Sequence, residues 1–230
     1  MTGPTVPPSR RSGAPLDEDG HRNRSFRHDA DDEIARVRCV DEGILVILTG
    51  PPGAGKSTVG RLVAAEYDRS ACIHSDWAYT TIVNGFIRQW EPESDPQNQA
   101  VIRSSIAMAA RLVAGGYFTV IEGIIGPWYL DIVRDELDGY QIRTHYVVLR
   151  PGIEKCLERT QNRPQLAKVP GHPPLADSEP IRMLWSMFSD LGEYKGHVID
   201  NTTMSASRAA MAICERVEKG SEVLTPCPKR

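Results

Sequence analysis

Along the chain, short apolar runs alternate with longer segments whose apolar residues return at helical spacing. Ile44-Leu45-Val46-Ile47-Leu48 is apolar throughout, the pattern of a strand buried on both faces. Residues 59–65 read as a helix, and Ala71-Cys72-Ile73-His74 as a short second strand running into Ser75-Asp76. Two helical stretches are predicted over 77–88 and 97–114. In the second, Ile102, Ile106, Ala109 and Val113 share one face, and Gly115-Gly116 ends it. A third strand over 117–121 closes on Glu122-Gly123, and a helix follows over 127–137. Residues 142–149 form a strongly β-patterned fourth strand, and Pro151-Gly152 opens a helix that runs to Arg159. Residues 164–174 are proline-rich and irregular. The 178–191 segment carries Ile181, Leu184, Trp185, Phe188 and Leu191 on one stripe. A short strand over 197–199 ends in Asp200-Asn201-Thr202, a last helix spans 205–219, and residues 220–230 read as a loose tail.

Apolar strands separated by helices indicate an α/β fold, a five-stranded parallel sheet covered on both faces. In such a sheet, ligands gather at the carboxyl ends of the strands. That rule selects Ser75 and Asp76, Glu122, Arg150, and Asp200, Asn201 and Thr202, each directly after an apolar strand.

Between the first strand and its helix lies Gly50-Pro51-Pro52-Gly53-Ala54-Gly55-Lys56-Ser57-Thr58. This is G-x-x-x-x-G-K-[ST] in the strand–loop–helix setting that a P-loop requires. Its glycines let backbone N–H groups turn toward phosphate oxygens, and the helix N-terminus adds its positive dipole end. Lys56 is expected to reach the β- and γ-phosphates, and the Ser57 hydroxyl to sit on Mg²⁺. The rival reading is a glycine-rich turn that happens to hold a lysine. The flanking strand and helix favour a nucleoside triphosphate site.

Composition narrows the class. A length of 230 residues allows one α/β domain with tails and a small lid. A net charge of −3 gives no general attraction to nucleic acid or to an anionic membrane, so neither is an expected partner. The five cysteines are odd in number and lack C-x-x-C pairs, as in a reduced cytoplasmic protein without a disulfide framework or zinc site. No apolar run approaches the roughly 18 residues of a membrane span, and no signal-peptide core is seen at the start. Residues 1–38 mix Pro, Ser, Gly, Arg and acids with few apolar side chains, and are expected to be a disordered extension. The folded domain is placed at 39–219, with a lid at about 163–180.

Asp76 is the candidate general base. Phosphoryl transfer asks a protein mainly for positioning and charge stabilisation, and a carboxylate on the acceptor hydroxyl can orient it and take its proton. The alternative is a helix N-cap, a position that Asp also favours. Glu122 is expected to hold a metal-bound water or touch the acceptor; it too can be read as a cap. Arg159 and Arg163, four apart, share one helix face just before the irregular stretch. They read either as cations favoured at a helix C-terminus or as lid arginines that close over the transferring phosphoryl group. An unstructured stretch of that length inside a compact domain is uncommon unless functional or disordered, which favours the lid. Trp128 and Tyr129 are candidate walls of an acceptor pocket, or plain core. His74 and His145, inside strands, read as core or edge residues.

Residues 50–58, Asp76 after the second strand, Val120-Ile121-Glu122-Gly123 after the third, and Arg159/Arg163 together resemble the small P-loop kinases. These are the shikimate and gluconate kinases and the chloramphenicol-phosphotransferase-like antibiotic kinases; Gly171-His172 is faintly similar to the gluconate-kinase lid. The resemblance covers roughly residues 43–219. It implies a three-layer α/β/α sandwich with a lid, ATP and Mg²⁺ as cofactors, and transfer of the γ-phosphoryl group to a hydroxyl of a small molecule, an antibiotic or sugar-like acceptor, by a monomer or dimer. A nucleotide, nucleoside or sugar-nucleotide acceptor is the alternative. In these relatives the aspartate after the second strand contacts the acceptor hydroxyl, a role carried here to Asp76. The arginine before the lid contacts the nucleotide phosphates, a role carried to Arg159 with Arg163 second. Adenine lies near the loop after the last strand, here Asn201 and Thr202. The arginine-bearing acceptor motifs of shikimate kinase are not evident. A GTPase switch needs N-K-x-D and D-x-x-G, both absent, and a remodelling ATPase needs a further helical domain, for which little chain is left.

Overall fold

A computed structural model describes Arg38, residues 43–162, Leu175 and residues 177–224. The chain divides into two units, Met1–Arg36 and Val37–Arg230. The first lies outside the described residues, and with it all of the expected disordered extension except Arg38, whose N–H donates to Glu66 O (2.9 Å). Arg163, Gly171-His172 and most of the expected lid lie outside them as well.

Five strands form one parallel sheet: β1 (Ile44–Thr49), β2 (Ser70–His74), β3 (Phe118–Gly123), β4 (Arg143–Leu149) and β5 (Val198–Ile199), in the order β2-β3-β1-β4-β5. The fold class read from the sequence is therefore observed. The central strand explains the pattern, since Leu45, Val46, Ile47 and Leu48 have no exposed surface. Val46 and Leu48 pack with Val59 and Val63 of α1 (Lys56–Ala65) and Ile213 and Val217 of α7 (Ala206–Glu218). Leu45 and Ile47 face the other layer. There they meet Ile102, Ile106, Ala109 and Val113 of α3 (Asp95–Ala114) and Leu130 and Val133 of α4 (Leu130–Leu137). Each such side chain contributes about 1.5–3 kcal/mol on burial, so the two clusters fix which way every strand end points. α5 (Ile153–Gln161) and α6 (Ser178–Met187) pack together through Cys156, Leu157 and Ile181.

Two expectations are corrected. The helix over 77–88 is only one turn, α2 (Asp76–Tyr79), followed by irregular chain that reaches a 3-10 turn at Pro92–Ser94. Thr80, Thr81, Ile82 and Val83 are all β-branched, which lowers helix propensity, and Gly85 takes φ +78. The tail is not loose from its start. The Tyr146 N–H donates to Glu222 O (3.0 Å), the Leu224 N–H donates to Thr144 O (2.8 Å), and Leu224 is buried. This segment lies antiparallel on the part of β4 that β5 is too short to cover. Residues 225–230 lie outside the described residues.

Candidate functional site

The loop after β1 is shaped by close backbone contact. A Cβ on Gly50 would lie 2.0 Å from Leu149 O, and one on Gly53 would lie 2.3 Å from Cys156 O; both glycines have positive φ. The loop is thus pressed against β4 and α5, and only glycine fits. α1 begins at Lys56 without a side-chain cap, leaving its first N–H groups for another acceptor. Lys56 Nζ donates to Gly50 O (2.9 Å) and Pro51 O (3.0 Å), so the ammonium lies across the mouth of the loop. Pro51 and Ala54 are buried, Pro52 and Ser57 are half-buried, and Thr58 is exposed.

The β4–β5 side supplies a second wall. Asn201, buried after β5, donates from Nδ2 to Ala54 O (2.9 Å). Arg159 donates to Asn201 O (3.2 Å) and, at 3.4 Å, to Ala54 O. Both residues therefore reach the P-loop, with the Arg159 guanidinium and the Asn201 amide each 3.9 Å from a Cβ placed on Gly55. Thr202 turns the other way, its Oγ1 accepting from the Gly152 N–H at 2.8 Å. Hydrogen bonds from Thr202 hold the Asp200 carboxyl below the usual range. Arg150 leaves the loop as well; its guanidinium lies 4.0 Å over the Trp185 ring and donates to Ser189 Oγ (3.0 Å).

The β2–β3 side carries the acids. Glu122 is 1% exposed, and neither carboxylate oxygen has an in-line hydrogen-bond partner among the described residues. Burial by itself would raise its pKa, but His74, Lys56 and Ser57 together hold it below the ordinary carboxylate value. His74, the last residue of β2, pairs in register with Glu122. Its Nδ1 lies 2.7 Å from Glu122 Oε1, off-line for a hydrogen bond yet in ion-pair contact, and its Nε2 lies 3.9 Å from Asp76 Oδ2. Burial works against the imidazolium, but Glu122 and then Asp76 outweigh it, and the His74 pKa is raised. Asp76 is about half exposed and opens α2. The cap position falls to Ser75, without a side-chain cap bond, so the reading of Asp76 as the N-cap is corrected.

Beyond the acids, Trp77 and Trp128 are 57% and 40% exposed, large apolar rings at the ends of adjacent strands. Trp128 packs on Phe188 at 5.4 Å and covers Gly126, where a Cβ would meet the ring at 2.2 Å. Tyr129 donates to Asp95 Oδ1 (3.2 Å), and Tyr79 to the buried Asn98 (2.8 Å).

The comparisons agree with this geometry. No family model matches the chain. A probable adenylyl-sulfate kinase of Aeropyrum pernix is 33% identical over 134 residues, which span 55% of this chain and 69% of that protein. The chain belongs to the small P-loop kinases. A shikimate kinase of Rhodococcus jostii is 26% identical over 126 residues, 53% of this chain and 69% of that one. Among solved structures, the APS kinase of Mycobacterium tuberculosis in complex with AMPPNP and APS superposes with a TM-score of 0.56 at 20% identity, covering 77% of this chain and 98% of that chain. The tunicamycin resistance protein of Deinococcus radiodurans gives 0.54 at 15% identity, covering 79% and 98%. At those identities the structures speak for the fold alone.

In this kinase the residues present suit a magnesium nucleotide. Among the described residues no group of three or more His, Cys, Asp or Glu could cage a metal. Mg²⁺ seldom needs such a cage, keeping waters and taking one or two protein groups besides phosphate. Glu122, ionised and without an in-line partner beside Ser57, is suited to that part. His74 is the contact that sequence reasoning missed. Its sequence signal was the H-x-D spacing at a strand end, which lets both side chains turn toward the third strand's acid.

Proposed function

We propose that this kinase moves the γ-phosphoryl group of ATP to a hydroxyl of a small molecule that is neutral or cationic, antibiotic-like or sugar-like, with an apolar face. ATP with Mg²⁺ supplies the transferable phosphoryl group and the divalent charge. The observation that carries the reading is the pairing of a phosphate loop on β1 with a half-exposed Asp76 two strands away and a buried Glu122 between them. Asp76 orients the acceptor hydroxyl and accepts its proton as the oxygen bonds to phosphorus and ADP leaves. Lys56 exchanges its two loop carbonyls for β- and γ-phosphate oxygens, and Ser57 and Glu122 hold Mg²⁺ directly or through water. Arg159, with Arg163 from the lid, balances the charge of the phosphoryl group in flight. Asn201 and Thr202 flank the base, and Trp128 and Tyr129 line the acceptor side.

The acceptor class is supported by composition at the site. Residues 75–87 and 122–133 contain no Lys or Arg. They do contain Asp76, Glu122 and the rings of Trp77, Tyr79, Trp128 and Tyr129. An anionic acceptor finds carboxylates in those segments and no Lys or Arg, with His74 already paired to the acids, whereas a neutral or cationic ring compound finds aromatic faces. The test is ADP release with MgATP and a panel of neutral sugars, amino sugars and nucleosides beside shikimate and adenylyl sulfate. Stimulation by an uncharged or cationic hydroxyl compound, lost in Lys56→Ala, is expected. Turnover unchanged in Lys56→Ala sinks the kinase reading of the loop, and best stimulation by either anion sinks the acceptor class alone.

A further inference from the structure

We infer that His74 is a positioning residue that ties the metal side of the site to the acceptor side. The inference rests on the roles proposed for Glu122 and Asp76. β2 is an edge strand, so a side chain at its last position is free to reach solvent, yet the His74 side chain is only 15% exposed. It is turned inward over β3, with Nδ1 2.7 Å from Glu122 Oε1 and Nε2 3.9 Å from Asp76 Oδ2. One flat ring thus faces a carboxylate with each nitrogen, and the Trp77 ring, 6.0 Å away, flanks it. The groups that hold Glu122 ionised are His74, Lys56 and Ser57, with the Cys72 thiol also in its field. Lys56 and Ser57 belong to the phosphate loop, which leaves His74, among the described residues, as the charged contact that does not depend on that loop. Without it a buried carboxylate is free to rotate toward Lys56 and to neutralise the charge needed at the β/γ-phosphates.

Residues that orient metal-binding groups typically contribute 10–100-fold to metal affinity or activity when removed. The link to Asp76 extends that control to the acceptor oxygen. At 3.9 Å the contact is electrostatic and sets the direction in which the Asp76 carboxylate points. A residue of the fold alone, neutralising a buried acid, predicts something different: lower stability with all functions reduced in step.

Three substitutions separate the arms. His74→Asn keeps a donor near the place of Nδ1, His74→Gln keeps one near that of Nε2, and His74→Ala keeps neither. Calorimetric binding of AMP-PNP is measured with and without Mg²⁺, beside thermal unfolding. His74→Ala is expected to weaken the magnesium-dependent part of the affinity by about 10–100-fold, with magnesium-free binding near wild type. His74→Asn is expected to restore most of it and His74→Gln little. The second arm is the imidazole ¹⁵N spectrum of His74, in which Glu122→Gln is expected to move the Nδ1 signal and Asp76→Asn the Nε2 signal. Wild-type magnesium dependence in His74→Ala, or no rescue by His74→Asn, overturns the metal arm. An unmoved Nε2 signal in Asp76→Asn overturns the acceptor arm. If His74→Ala does not fold, the Asn and Gln variants carry the same comparison. Failure of the wild type to bind AMP-PNP points instead to the kinase reading itself.

Discussion

Replacing Gly53 by Ala tests whether the phosphate loop is held in shape by the body of the protein. The new Cβ would lie 2.3 Å from Cys156 O, 2.9 Å from the carbon of that carbonyl and 2.7 Å from Thr160 Oγ1. Two of those atoms are helix backbone and cannot swing aside. The φ of +76° adds about 1–2 kcal/mol for any residue with a Cβ, and overpacking adds about 1–3 kcal/mol, so about 2–5 kcal/mol is at stake if the loop keeps its form. Gly85→Ala is the control, with φ +78° and nothing within 4 Å, so the strain is present without the clash. Gly55→Ala is a second control inside the loop, its nearest atoms being 3.9 Å away. In a domain of this size each kcal/mol moves the melting temperature by about 2–4 °C. Calorimetric unfolding is expected to rank Gly53→Ala well below Gly85→Ala and Gly55→Ala. A loop that relaxes instead gives a smaller drop but loses AMP-PNP binding in the same variant. Gly53→Ala melting and binding as Gly85→Ala does refutes the docking of the loop on α5.

Asp76→Asn removes the charge but not the shape; AMP-PNP affinity is expected near wild type while transfer falls by roughly 10²–10⁴-fold, the usual worth of a positioned general base. Near-normal transfer in that variant moves the role to Glu122. Arg159→Ala is expected to cost on the order of 10³-fold in kcat, as for arginine fingers, and no more than about 2 kcal/mol in stability for two long hydrogen bonds to carbonyls; kcat within a few-fold of wild type makes Arg159 a strut between Ala54 and Asn201. The pH dependence of unfolding has a separate source in His145, where burial pushes the pKa below the ordinary value. Its Nδ1 meets Ser221 O at 2.7 Å and its Nε2 is buried without a partner, so a second proton has no acceptor. The folded state resists that proton and the unfolded chain does not. Stability from this group is therefore complete above the ordinary imidazole pKa and is lost as pH falls toward the depressed value. Denaturant unfolding from pH 7.5 to 5.5 is expected to weaken, and less steeply in His145→Asn, whereas identical slopes discount the residue.

What the sequence made legible was the spacing of chemistry at strand ends. Uniform apolar runs such as Ile44–Leu48 admit little besides a doubly covered strand. Once five are aligned in parallel, the residues after them share one rim. Helix length was less legible after β2. Tyr79, Ile82 and Phe86 show helical spacing, but the β-branched run and Gly85 weigh against a helix, and packing on α3 through Tyr79 and Asn98 decides the course of the chain. The tail misled for a related reason, since Val223 and Leu224 are too few to show a period, and their place depends on β5 being two residues long. His74 was hidden because its partners come from another strand and another turn. Pairing register, which places His74 against Glu122, is a property of the folded sheet.

The strand order has a consequence for how such an enzyme changes over time. β1 sits between two wings with separate duties. One wing, β3 and β2, ends in Glu122, His74 and Asp76; the other, β4 and β5, leads to Arg159 and Asn201. Among the described residues no hydrogen bond or ion pair joins the two sets directly, and the phosphate loop lies between them. Substitutions at distant sites usually combine additively, so coupling between the wings is expected only where a change also shifts the loop. Adaptation to a new acceptor is then a search over one wing and the segment behind it, run while the nucleotide-handling wing is inherited unchanged.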